Sequence, residues 1–427
     1  MDPLKIREDF PSLRRMIKGK PLIYFDNAAT THKPLQVLNS IHQFYLKYNS
    51  AINRSLHEGG GIATGLWIEA HENIARFIGA GSWREIVITR NSTEAVNLVC
   101  YSLLNGREGG VRIGPGDEVI VSVMEHHSNF VPWQRLAGHG LTVRIAPVNE
   151  EGFIDAASLK SLINGSTRLI CCSHVSNVLG SINPIGEISA MARQAGALLL
   201  VDGTQSAPHL KINVKDMECD FFALSGHKML APAGTGVLYG KRGLLENMEP
   251  FMSGGGMIRD VSPERSTWND LPWKFEAGTP DVAGAVALGG ATEKNSRERL
   301  FGAVDYLETL GMEAVHDHES ALSSLLLWKL REREDIVIYG PEPGAERCGI
   351  ISFNIRKNRE LADPAMIAYF LDEEGIAVRG GSHCAHPLMK SLGIEGTLRV
   401  SLYIYNTRDE VERFVRVLFD IIDNKIL

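Results

Sequence analysis

The chain of 427 residues carries 44 Lys and Arg against 51 Asp and Glu, a formal net charge of −7, with 44% hydrophobic and 22% charged residues. Those proportions fit a globular protein with a sizeable core and exclude a disordered or fibrous one. The basic residues are scattered, so there is no electrostatic footprint for nucleic acid and no polybasic patch for a membrane surface.

From the N-terminus, Asp2, Lys5, Arg7, Glu8 and Asp9 break up any apolar run, so no signal-peptide core is expected. No later run reaches the roughly 20 apolar residues of a membrane helix. Six cysteines are too few for a disulfide framework, and a reducing, cytoplasmic setting is the expectation. Short apolar runs then recur at 85–90, 117–123, 142–148, 168–175, 197–202, 220–224 and 236–240. Rich in Val, Ile, Leu or Phe, they suit strands buried on both faces. Helical patterns at 93–104 and 185–194 lie between them, and this alternation predicts a mostly parallel seven-stranded α/β sheet. Residues 254–284 are rich in Gly and Trp, lack periodicity and read as a long irregular connection of the functional kind. Beyond it, strands at 336–339, 350–355, 376–379 and 398–402 and a helix at 364–373 predict a smaller α+β domain. The last helix starts at Thr407, where Thr407-Arg408-Asp409-Glu410 forms a capping box. The domain expectation is a large unit over 24–300 and a small one built from 1–23 and 301–427.

Several strand ends carry reactive groups. Ser225-Gly226-His227-Lys228 follows the run at 220–224. Its lysine is either an ordinary surface lysine or a partly desolvated amine of lowered pKa that can form a Schiff base. Asp202 ends the run at 197–202, on the edge where open α/β sheets bind ligands. A carboxylate buried at its root needs a cation or hydrogen-bond donors; a helix N-cap is the alternative. Together, with Gln205 and His227 close by, Asp202 and Lys228 match the pair that pyridoxal 5'-phosphate (PLP) asks of a protein: an acid for the pyridine nitrogen and a Schiff-base lysine. Asn91-Ser92-Thr93-Glu94 opens a helix and offers an anion site, or a plain N-cap. Glu125-His126-His127 puts an imidazole at the same rim. Cys384 lies in a glycine-loosened loop between His383 and His386 with Arg379 nearby, a setting that favours thiolate. Cys100, Cys171, Cys172, Cys219 and Cys348 read as inert packing. The His383-Cys384-x-His386 group also offers metal ligands, but its spacing does not match the paired structural zinc patterns, and no metal site is expected. Gly234-x-Gly236-x-x-x-Gly240 precedes a strand, so it is not a dinucleotide fingerprint.

The segments 174–180 (HVSNVLG), 201–205 (VDGTQ), 219–228 (CDFFALSGHK) and 275–280 (FEAGTP) resemble fold-type I PLP enzymes of the class V aminotransferase superfamily. With 125–134 (EHHSNFVPWQ), 379–389 (RGGSHCAHPLM) and 398–407 (LRVSLYIYNT), the chain is similar to the SUF-type, group II cysteine desulfurases, some of which also act as selenocysteine lyases. The resemblance runs from about residue 23 to the last helix. It implies a large domain with a mostly parallel seven-stranded sheet plus a smaller α+β C-terminal domain. Lys228 would hold PLP, Asp202 would pair with its pyridine nitrogen, Gln205 would bond the ring oxygen and His126 would stack on the ring. Ser92, Thr93, Ser225 and His227 would bind the phosphate, with Thr279 reaching across from the partner subunit of a homodimer. Asn177 and Arg399, with Arg379 and His57 nearby, would hold the substrate L-cysteine, or L-selenocysteine. Cys384 would be the nucleophile that takes the sulfur as a persulfide while alanine leaves. The sulfur would pass to an acceptor or scaffold protein of iron–sulfur cluster assembly. Another PLP lyase or transaminase on the same fold is the nearest alternative, and a non-catalytic binding module a more distant one. Two departures from the family pattern stand out: Ser382 occupies a position where many relatives carry His, and the stretch Gly254-Gly255-Gly256-Met257 is one residue short. Only four residues separate Arg379 from Cys384, a short tether that should keep the thiol near the cofactor and limit turnover without an acceptor that enters the site.

Overall fold

The computed structural model describes residues 1–106, 110–358 and 360–424. Seven apolar runs form one sheet: β1 (Ile86–Thr89), β2 (Glu118–Ser122), β3 (Thr142–Ala146), β4 (Thr167–Ser173), β5 (Leu198–Asp202), β6 (Phe221–Ser225) and β7 (Gly236–Gly240). Their spatial order is β3-β2-β4-β5-β6-β7-β1. Neighbours from β3 to β6 are parallel, and β7 runs antiparallel to both β6 and β1. Alternate residues point to opposite faces of the sheet. Ile120, Ile170, Leu199, Val201, Phe222 and Leu224 therefore enter one apolar cluster with helix α1 (Glu58–Phe77) and helix α3 (Ile185–Gln194). Val119, Val121, Leu169, Leu200, Phe221 and Ala223 enter another, with helix α2 (Ser92–Leu104). Cover on both faces is why these strands read as continuous apolar runs rather than alternating ones.

The C-terminal part forms an antiparallel sheet from β8 (Ile336–Tyr339), β9 (Ile350–Lys357), β10 (Arg379–Gly381) and β11 (Thr397–Ser401), in the order β8-β9-β11-β10. Its core strands β9 and β11 pack against α4 (Met312–Leu330), α5 (Pro364–Glu373) and α7 (Arg408–Asn424) through Leu326, Leu371, Phe414 and Leu418; a short α6 (His386–Ser391) follows the cysteine loop. The cap of α7 forms as expected: Glu410 N donates to Thr407 Oγ1 (3.2 Å) and Thr407 N to Glu410 Oε2 (3.0 Å). The run at 376–379 divides in two. Ile376–Ala377 pairs in parallel with Ile23–Tyr24, whereas Arg379–Gly381 joins β11, an exchange of partner that periodicity does not report. Residues 254–284 contain a hairpin, Ile258–Val261 with Ser266–Trp268, whose largely exposed strands leave no apolar alternation to read. Among the described residues no helix is long and apolar enough to cross a membrane.

Candidate active site

Strands β2, β4, β5 and β6 end on one rim, and the loops leaving them enclose a cavity that β10 and β11 close from the other side. Asp202, the last residue of β5, is buried and accepts from Thr204 N (2.9 Å). Burial pushes its carboxyl above the ordinary value, while Thr204 and the positive Lys228 pull it back. Lys228 stands on the short turn after β6 and faces the same cavity. Burial, then the nearby Arg399, push its amine down to about 8, with Asp202 opposing them. Among the described residues neither group finds an ion-pair partner. A buried acid and a depressed amine therefore face one space without neutralising each other.

An anion cradle borders that space. Ser92 N donates to Ser225 Oγ (2.9 Å), and the Ser225 hydroxyl lies 2.9 Å from Ser92 Oγ, joining the start of α2 to the end of β6. Asn91 caps α2 by accepting from Glu94 N (2.9 Å), which leaves the exposed Thr93 to present its N–H and hydroxyl. This approach requires glycine at 236, since a Cβ there would lie 2.5 Å from Asn91 Cα. His227 flanks the cradle, its Nδ1 3.2 Å from Thr30 Oγ1, and burial lowers its pKa to about 4. Gln205 uses one amide hydrogen on Ala28 O (2.8 Å); among the described residues its buried Oε1 has no partner.

His126 presents a neutral ring. Its Nδ1 accepts from Ser128 N (3.1 Å), which places the proton of the neutral tautomer on Nε2. Burial, then Lys228, hold its pKa at about 3, so the ring offers a flat aromatic face and no charge. The preceding residue, Glu125, is fully buried, and the sequence pattern assigns it no role. Its carboxylate accepts from Ser122 Oγ (2.6 Å), Asn129 Nδ2 (2.6 Å), Ser173 N (2.8 Å) and Ser173 Oγ (2.6 Å), tying β2 to β4. Burial raises its pKa to about 7 against the pull of these donors.

Arg399 on β11 is buried and held at two points: Nη1 donates to Asn177 O (2.9 Å) and Nη2 to Asp26 Oδ1 (3.1 Å). Among the described residues its Nε is buried without an acceptor, and the residue itself lines the cavity, a cation suited to a ligand carboxylate. Asp26 is a second residue the sequence did not single out. Asn177 gives one amide hydrogen to His383 O (2.8 Å), and Arg379 lines the cavity from β10.

Cys384 is the one cysteine that is not buried. It and His383 adopt left-handed backbone, with φ of 55° and 51°. Such a conformation in non-glycine residues costs of order 1–3 kcal/mol each and is maintained only where surroundings impose it. Here the surroundings are Asn177, bonded to the His383 carbonyl, and His127, whose N donates to the Cys384 carbonyl (2.8 Å). Cys384 lies near enough to Lys228 and Arg399 to interact electrostatically with both. The remaining thiols are buried, and burial raises the pKa of Cys100, Cys171, Cys172, Cys219 and Cys348, so they are poor nucleophiles. Two expected residues stand apart within this chain. Thr279 lines a separate cavity with Arg54 and Trp273. His57 is exposed and caps α1, its Nδ1 accepting from Gly60 N (3.1 Å).

Residues 23–414 match the family described as aminotransferase class-V, and the chain belongs to it. It is 44% identical over 419 residues to a probable cysteine desulfurase of Halalkalibacterium halodurans, covering 98% of this chain and 97% of that one. It is 43% identical over 424 residues to a cysteine desulfurase of Haloferax volcanii, covering 96% and 94%. The solved apo structure of a cysteine desulfurase from Thermococcus onnurineus NA1 has the same fold, with a TM-score of 0.89 and 35% identity over 99% of this chain and 98% of that one. Proteins of this family are PLP-dependent enzymes, and the cavity fits the cofactor. Asp202 lacks the cation that a protonated pyridine nitrogen would supply. Lys228 is a free amine, Gln205 has an amide hydrogen to spare, and the start of α2 offers donors to a phosphate.

Proposed function

We propose that the protein is a cysteine desulfurase, converting L-cysteine to L-alanine and leaving the sulfur as a persulfide on Cys384. PLP, when bound, supplies an electron sink for charge developing at the substrate Cα. Asp202 would hold the proton on the ring nitrogen, His126 would cover the ring, and Ser92, Thr93, Ser225 and His227 would anchor the phosphate. Arg399, pre-set by Asp26 and Asn177, would orient the substrate carboxylate with its guanidinium. Lys228, its amine lowered to about 8, would take the Cα proton and return it to the product. The Cys384 thiolate would attack the substrate sulfur. The S–S bond forms as the C–S bond breaks, and the organic fragment keeps the bonding pair and is protonated to alanine. The observation that carries this reading is the convergence on one cavity of an unneutralised Lys228–Asp202 pair and the buried Arg399, with the one thiol that is not buried on the next residue after His383, which lines that cavity.

The finer reading follows the SUF-type pattern. A homodimer would bring Thr279 to the partner's site, and a protein acceptor of iron–sulfur assembly would collect the sulfur. The parallel pairing of Ile23–Tyr24 with Ile376–Ala377 supports counting the first 23 residues with the C-terminal unit, as 1–23 plus 301–427 against 24–300. The test compares the PLP-loaded protein with its Cys384→Ala variant on L-cysteine with a reductant. Sulfide and alanine should form with the former only, while both retain PLP. Equal rates would remove Cys384 from the reaction.

A further inference from the structure

His127 and His386 lie outside the cavity-lining set, yet they join the two loops on which the reaction depends. Their rings stack at 4.9 Å with 14° between planes, and His386 Nδ1 lies 2.9 Å from His127 Nε2. The His386 backbone N–H also points at His127 Nε2 (3.4 Å), so this nitrogen is an acceptor and the Nδ1–H of His386 donates to it. His127 in turn donates its backbone N–H to the Cys384 carbonyl (2.8 Å). The bridge thus spans two consecutive left-handed residues, His383 and Cys384, whose backbone would relax without support.

We infer that the His127–His386 imidazole pair is a clasp that holds the Cys384 loop in its attacking conformation, making both histidines positioning residues for sulfur transfer. The inference rests on the desulfurase reading above. The clasp needs an unprotonated nitrogen between the rings, so it survives one proton on the pair and opens with two. Burial and the neighbouring His386 both lower the pKa of His127, so opening lies at lower pH than an ordinary imidazole would give. The groups facing the pair are the His126 ring, 6.1 Å from His127, and the Cys384 backbone; among the described residues no carboxylate hydrogen-bonds or ion-pairs with either ring.

The test uses the PLP-loaded protein and its His386→Ala and His386→Gln variants, from about pH 5.5 to about pH 8. His386 is exposed, so neither change disturbs the core. One readout is the rate of Cys384 alkylation by iodoacetamide, followed on the Cys384 peptide; the other is the kcat and KM for alanine formation. At neutral pH, His386→Ala should alkylate several-fold faster and lose kcat several-fold with KM nearly unchanged. His386→Gln, whose amide can donate or accept, should restore both values. Towards the acidic limit the unmodified protein should speed up towards the His386→Ala rate, while His386→Gln stays slow to alkylate. Identical alkylation of all three proteins across the range would overturn the clasp. Absence of alanine from every protein, with the alkylation pattern as described, would instead count against the desulfurase reading and leave the clasp standing.

Discussion

Replacing Asp202 with Asn separates what this carboxylate costs the protein from what it does for the cofactor. Asn keeps the acceptor for Thr204 N (2.9 Å) and nearly the same volume, so the local backbone should hold. It cannot carry charge. Without cofactor, the native carboxyl has a pKa above its unfolded value near 3.9, so the native state binds more protons than the unfolded one as pH rises past that value. Stability of the cofactor-free protein must then fall with rising pH through that window, and Asp202→Asn removes this slope. The variant should be the more stable of the two at neutral pH. With cofactor the sign reverses. A charge-assisted hydrogen bond to the ring nitrogen contributes about 1.5–3 kcal/mol, and losing it weakens PLP binding roughly 10- to 150-fold. Urea unfolding of the cofactor-free proteins at two pH values, beside PLP titrations, measures both effects. A variant that is less stable than the parent at neutral pH, or that binds PLP equally well, would refute the reasoning.

Lys228 should give the opposite slope. Its native pKa of about 8 lies below the unfolded value of 10.5, so between these limits the unfolded state binds more protons and the cofactor-free protein gains stability with pH. The gain is at most about 3–4 kcal/mol, and it should be absent from Lys228→Met in the same urea titration; an equal slope in the variant would contradict the assignment. Glu125→Gln should cost about 1–3 kcal/mol. Whichever way the new amide turns, its NH2 faces a fixed donor, either Ser173 N or Asn129 Nδ2. Unchanged unfolding would show that the four-donor network does not bind β2 to β4 as described.

Much of this was legible in the sequence because the chemistry is local to strand ends. The runs around Leu200 and Phe222 read as strands because both faces are covered, and Asp202 and Lys228 stand at or just beyond their carboxyl ends. Glu125 and Asp26 were not legible, since their roles arise from partners distant in the chain. Glu125 meets donors from Ser173, 48 residues away, and Asp26 meets Arg399 across 373 residues. The division of 376–379 between two sheets has the same origin, because the parallel neighbour of Ile376 is Ile23. The clasp was half visible: His383 and His386 marked the cysteine loop, but nothing in the spacing showed that His386 faces His127. His57 matched a pattern, and within this chain its imidazole serves the first turn of α1.

The central claim is that Cys384 takes the substrate's sulfur. Mass measurement of the PLP-loaded protein after brief exposure to L-cysteine, without reductant and followed by digestion, tests it most directly. The account predicts the mass of one added sulfur atom on the peptide carrying Cys384, lost on reduction and absent from the peptides of Cys100, Cys171, Cys172, Cys219 and Cys348. An unmodified Cys384 peptide alongside steady alanine formation would contradict it.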